Sequence, residues 1–100
     1  MKVVWTDRAK QRLREIRDYI AQERPPAASK LVRRLVLRSH QLALLPRSGR
    51  AVPEYERDDI RELLERPYRI IYLVLPQQQR VDVLTVYHYH QLLPSDLAKL

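Results

Sequence analysis

The sequence predicts an α+β fold in the order strand, helix, helix, strand, strand, strand (β-α-α-β-β-β), with a helical hairpin packed on one face of a mainly antiparallel sheet. Three observations predict it. Apolar residues recur at helical spacing through the first half, they alternate at strand spacing in the second, and prolines with the one glycine punctuate the change. At 100 residues the chain is expected to form a single domain over residues 1–100.

Val3, Val4 and Trp5 form a short extended run closed by Thr6, whose hydroxyl can cap a following helix. Ala9, Leu13, Ile16 and Ile20 then fall on one face of a helix predicted from about Asp7 to Glu23. Arg24-Pro25-Pro26 ends it, because a residue preceding proline is pushed out of helical space, and Pro26 suits the first turn of a second helix. That helix is predicted from Ala27 to Leu45. Its apolar residues cover more than one stripe, which fits either a helix wedged between its partner and the sheet or a face kept for a partner chain. Pro46 to Gly49 stops it, the glycine supplying a permissive turn. Strands are predicted at Ile60–Glu65, Tyr68–Leu75 and Arg80–His88, with connections short enough for an antiparallel meander. Apolar residues on both faces of Tyr68–Leu75 make it the central strand. A turn of helix is expected from Ser95 to Leu100.

Composition removes whole classes of function. Without cysteine there is no disulfide scaffold, zinc ribbon or thiol nucleophile, and a single glycine cannot build a phosphate loop. A core this small leaves little room for an enclosed cofactor, and none is expected. The start, MKVVWTDRAK, has no apolar signal region and no apolar run is long enough to span a bilayer, so a cytoplasmic location away from membranes is expected. Net charge is +7, and residues 7–47 carry eleven Lys/Arg against four Asp/Glu. The surplus of positive charge therefore lies in the helical half and favours an acidic partner.

Few residues offer chemistry. His88 and His90 share a face at period two but lack a third ligand at a recognisable spacing, so no metal is expected; His40 reads as a surface residue. Each serine lacks the flanking glycines of a nucleophile elbow. One constellation remains: Glu54 in the loop, Arg69 at the start of the central strand, and His88 with Tyr89 at the end of the last. Antiparallel pairing makes Arg69 and His88 neighbours, and a base, a cation and an acid are what RNA cleavage needs. The plain structural alternative is that Arg69 pairs across strands with a carboxylate such as Glu62 or Asp82.

Taken in order, VVWTDRAKQRLREIRDYI, LALLPRSGRAVPE, DDIRELLERPYRIIYLV and VDVLTVYH resemble the RelE/ParE superfamily of bacterial toxins, and more closely its ParE branch. The resemblance covers nearly the whole chain. It implies the toxin of a type II toxin–antitoxin pair that inhibits DNA gyrase, with no catalytic residues of its own. It also implies a ParD-like antitoxin whose disordered tail folds along the hairpin and sheet, and no direct sequence-specific DNA binding by this chain alone. Leu13, Arg17, Leu31, Arg34, Leu35 and Arg38 are the expected antitoxin contacts. The alternative within the superfamily is a ribosome-dependent mRNA endonuclease of the RelE or YoeB kind. It would make Glu54 the general base, Arg69 the phosphate clamp, and His88 or Tyr89 the proton donor. Gln91 stands where ParE-like chains commonly carry an arginine, and the lysine-rich set of RelE is missing. A third reading is a chain that binds its partner and poisons nothing.

Overall fold

A computed structural model describes residues 1–99. Strand β1 (Lys2–Trp5) leads into helix α1 (Asp7–Ala21), and helix α2 (Pro25–Ser39) completes the hairpin. Strands β2 (Arg50–Ala51), β3 (Ile60–Glu65), β4 (Tyr68–Leu75) and β5 (Arg80–His88) follow, and a 3₁₀ turn covers Ser95–Lys99. Leu100, the end of the expected tail helix, lies outside the described residues.

The sheet order is β1-β5-β4-β3-β2, so β4 is central as its two apolar faces predict. β3, β4 and β5 form the antiparallel meander at the predicted bounds. β1 lies parallel to β5, with Trp5 opposite Val83. The junction that follows is held by one side chain. Thr6 Oγ1 accepts from the Ala9 amide at 3.2 Å and donates to the Val83 carbonyl at 2.8 Å, capping α1 and fixing it to the sheet together.

Both helices begin or end away from their predicted limits, for local reasons. Pro25 and Pro26 both sit in the first turn of α2, where a missing amide costs no hydrogen bond, so the helix starts two residues earlier than expected. It stops at Ser39 rather than Leu45. Ser39 Oγ donates to the Val36 carbonyl at 2.7 Å, competing with the helical ladder, and the chain tightens into a 3₁₀ turn at His40–Ala43. Ser39 also accepts from Trp5 Nε1 at 3.1 Å, which ties α2 to β1.

The hairpin covers one sheet face. Ala9, Leu13 and Ile16 of α1 and Leu31 and Leu35 of α2 pack on Leu63, Ile70, Tyr72, Val74, Val81, Val83 and Val86. Each fully buried Leu or Ile of this kind stabilises the fold by roughly 1.5–3 kcal/mol. The surplus apolar residues of the second helical region split between the two readings. Ala28, Leu31 and Leu35 are core, while Leu37, Leu44 and Leu45 are exposed at 52, 88 and 59%. Opposite the helices is a second core that periodicity did not predict. Val52 and Tyr55 of the loop, with Leu93 and Leu97 of the tail, cover Ile60, Ile71, Leu73 and Leu84. Tyr55 donates to the Pro94 carbonyl, and Arg8 grips Asp96 through two hydrogen bonds of 2.9 and 3.1 Å, pinning the tail there.

Candidate functional site

The face away from the helices carries the polar cluster. Register places Arg50 opposite Glu62 across β2 and β3, and Leu64 opposite Arg69 across β3 and β4. Arg69 and Glu62 are therefore diagonal neighbours on one face, within reach of a long side chain. Arg69 Nε and Nη2 donate to Glu62 Oε2 at 2.8 and 2.6 Å, and Nη1 and Nη2 donate to Glu54 Oε2 and Oε1 at 2.8 and 2.9 Å. Arg50 Nε adds a bond to Glu62 Oε1 at 3.0 Å. The Glu62 carboxylate is fully buried, and Arg69 is nearly so, whereas Glu54 is 45% exposed. Two cations and two carboxylates thus balance in a site that is half covered by protein.

Glu54 and Arg69 meet; His88 does not join them. Arg69 lies opposite Tyr87, and His88 lies opposite Tyr68. The single-residue offset reverses the face, correcting the expectation that Arg69 and His88 are neighbours through their side chains. His88 stacks edge-on against Tyr68, with ring centroids 5.6 Å apart, at the helix side of the sheet. There Arg12, Glu15, Ile16, Tyr19, Tyr68, His88 and Gln91 line an open cavity of about 510 Å³. Arg12 spans its rim, donating to the Val86 carbonyl and Gln91. The His90 amide donates to His88 Nδ1 at 3.2 Å, so this nitrogen serves a local turn. Among the described residues no group of three or more His, Cys, Asp or Glu is placed to hold a metal ion. Tyr89 lies under Arg66, whose guanidinium carbon is 5.9 Å from the ring centroid, and its hydroxyl is buried without a hydrogen-bond partner among the described residues.

Electrostatics follow these contacts. The hydrogen bonds from Arg69 hold the Glu54 carboxyl below its ordinary value of 4.5, against the opposing effect of burial. The same bonds raise Arg69 beyond its already high value, so it is charged under all ordinary conditions. Burial raises the hydroxyl pKa of Tyr68, and of Tyr72, which accepts from the Gly49 amide at 3.0 Å.

The six residues expected to meet a partner occupy three different environments. Leu13, Leu31 and Leu35 lie in the core beneath the hairpin. Arg34 and Arg38 reach across to Glu65 of β3, with N–O distances of 3.4 and 3.8 Å. Arg17 lines a groove on the opposite flank with Lys10, Arg14 and Val32. Helical periodicity identifies the inward stripe but not which flank of each helix adjoins the sheet edge. The sequence offers Glu62 only as a partner of Arg69, and its full burial has no signal at Ile60-Arg61-Glu62-Leu63, where two charged residues in a row break the apolar alternation.

Comparison with known proteins agrees with this geometry. A family model described as the ParE toxin of the type II toxin–antitoxin system parDE matches residues 3–93. Y4kP of Sinorhizobium fredii, a candidate toxin, is 38% identical over 96 residues, covering 96% of each chain. Among solved structures, a chain of the chromosomal ParDE toxin–antitoxin system of P. aeruginosa superposes with a TM-score of 0.74 at 26% identity, covering 88% of this chain and 95% of that one. A chain of the RelBE2 toxin–antitoxin complex of Mycobacterium tuberculosis gives 0.64 at 21% identity over 87 and 95% of the two chains. The isolated RelE toxin of E. coli gives 0.55 at 17% over 98 and 92%, a likeness of fold.

Proposed function

The chain belongs to the ParE toxin family of type II toxin–antitoxin systems, and from that premise we propose that it arrests growth by inhibiting DNA gyrase until a ParD-like antitoxin neutralises it. The observation that carries this reading over RNA cleavage is the state of Arg69. Four of the five N–H groups of a guanidinium are directed at two carboxylates here, so little of it is left for a phosphate. The histidine that would supply a proton projects from the other face. A gyrase inhibitor needs no such set, since it breaks no bond with its own side chains.

The antitoxin in this reading lies along the β3 side of the hairpin. β2 pairs only with Arg61 and Glu62, so Leu63–Glu65 carry no strand on that edge among the described residues. An extended segment could add there by main-chain hydrogen bonding while its acidic side chains meet Arg34 and Arg38. Such a segment would fold on binding, which suits a wide, shallow surface.

The test is a supercoiling and cleavage assay with purified gyrase, plasmid and ATP, run with and without the antitoxin. Accumulation of linear DNA that the antitoxin reverses is the expected result. Untouched gyrase, together with cleavage of mRNA on translating ribosomes, would overturn it. Glu54, paired with Arg69 yet 45% exposed, would then be the first residue to examine as a base.

A further inference from the structure

We infer that the outer flank of the helical hairpin is a binding surface for the phosphate backbone of duplex DNA, read without regard to sequence. Lys10, Arg14 and Arg17 line a shallow groove of about 200 Å³ whose floor is Leu13 and, from α2, Val32. Their spacing of four and three residues places them in one row along α1, spanning about 10 Å at 1.5 Å per residue. Arg33, next to Val32, is exposed on the facing helix.

What sets this flank apart is the state of its charges. Most arginines elsewhere are matched, among them Arg8 to Asp96, Arg34 and Arg38 to Glu65, Arg47 to Asp58 and Arg80 to Asp82, whereas Arg24 and Arg66 stand singly and form no row. On the outer flank Arg14 bonds only to Gln11, a neutral side chain, at 2.8 and 3.2 Å. Lys10 and Arg33 have no carboxylate within ion-pair distance among the described residues. Arg17 meets only Asp18, its neighbour in sequence, in an exposed pair of little energetic worth. Part of the positive surplus that the composition places in the helical half thus lies in a row along this groove, with only the exposed Asp18 paired against it.

The groove's chemistry selects the partner. An amphipathic peptide needs apolar anchor pockets. Here Leu13 is 8% exposed and Val32 is half-buried, so there is almost nothing to anchor. Single-stranded nucleic acid is held largely by stacking on aromatic rings, and no aromatic side chain lines the groove. A duplex backbone needs neither. It offers a stiff line of phosphates to a stiff line of cations, and the released counterions supply the affinity. This surface lies on the opposite flank of the hairpin from the Arg34–Arg38–Glu65 edge and does not depend on the gyrase reading.

The experiment measures fluorescence anisotropy of a labelled 20-base-pair duplex of arbitrary sequence, titrated with the full chain over a range of salt. The wild type should bind weakly and lose about 40-fold in affinity from about 50 to about 200 mM salt, as expected for roughly three phosphate contacts. A triple variant, Lys10→Gln with Arg14→Gln and Arg17→Gln, should lose most of the binding and nearly all of the salt dependence. Glutamine is a good helix former, and an unchanged circular dichroism spectrum confirms the fold. The control, Arg34→Gln with Arg38→Gln and Arg66→Gln, removes the same charge from elsewhere and should retain most of the binding. Equal loss in both triples would overturn the assignment, because binding would then report net charge. So would tighter binding of a single strand than of the duplex, absence of binding at low salt, or a first triple that loses antitoxin affinity while keeping that for DNA.

Discussion

Arg69 bridges Glu54 and Glu62, joining the loop before β3 to the strand itself through one guanidinium. The two halves of this bridge differ in burial and should differ in energy. Glu62 is sealed from solvent, so Arg69→Leu leaves a buried carboxylate with Arg50 alone and should cost about 3 kcal/mol. Glu54 is nearly half exposed, and Glu54→Gln should cost less than about 1 kcal/mol. Urea unfolding of both variants checks this; equal costs would show that the burial difference does not govern the bridge.

The same bridge predicts the acid limb of stability. Glu54 is held below its ordinary 4.5 by Arg69, and Asp59 below its ordinary 3.8 by Arg57. A carboxylate depressed in the folded state stabilises the protein fully above its unfolded pKa, and that stabilisation is lost as pH falls through the lowered folded value. Stability should therefore be level down to about pH 5 as far as these groups contribute, and decline below it. Glu54→Gln should flatten part of that decline by a modest amount, given the exposure of the pair. An acid limb identical in wild type and variant would remove Glu54 from the account.

Gly49 predicts a larger effect for a smaller change. A Cβ at this position would stand 2.2 Å from the Glu62 carbonyl oxygen and 2.7 Å from the Tyr72 hydroxyl, and the first of these is backbone that cannot give way. Gly49→Ala should cost about 1–3 kcal/mol, as other overpacked sites do, and lower the thermal midpoint. Tyr72→Phe should cost about 1–2 kcal/mol, since it strands the buried Gly49 amide that donates to Tyr72. A Gly49→Ala variant as stable as the wild type would mean that β2 can move away from β3 freely.

Gly49 also marks where sequence reasoning stops. The glycine was legible as a breaker after the second helix, but its φ is not in the left-handed region; close approach to β3 is what excludes a side chain. The meander was legible because apolar alternation, Pro67 and Pro76-Gln77-Gln78-Gln79 report on neighbours a few residues apart. β2 was not, since Arg50–Ala51 is too short for a period and exists only by pairing with β3. The site divides in the same way. A cross-strand carboxylate for Arg69 was legible as Glu62 or Asp82, and the structure selects Glu62 while Arg80 holds Asp82, whereas the place of His88 depends on the register of β4 against β5. One residue of offset separates a shared site from two unrelated ones.

The β3 side of the hairpin should carry antitoxin affinity. Arg34→Glu with Arg38→Glu places two negative charges beside Glu65, where an acidic segment would have to lie. The affinity of the toxin–antitoxin complex should fall by about tenfold or more, an increment of roughly 1.4 kcal/mol per decade. Calorimetric titration measures it, with far-ultraviolet circular dichroism to confirm the helices. Unchanged affinity would move the antitoxin to another surface.

Tyr89 separates the two superfamily activities by a single atom. Its hydroxyl is buried without a partner among the described residues, while its amide donates to the Pro67 carbonyl at 3.0 Å and Arg66 covers its ring. Removing an unpaired buried hydroxyl relieves a desolvation cost, so Tyr89→Phe should leave stability unchanged or raise it by about 1 kcal/mol. Backbone and ring contacts persist in phenylalanine. Gyrase inhibition by this variant should therefore match the wild type, whereas a nuclease using Tyr89 as its proton donor would lose cleavage while remaining folded. Thermal unfolding beside the plasmid assay decides both points. A stable variant that no longer arrests growth would return the chemistry to Tyr89 and overturn the gyrase reading.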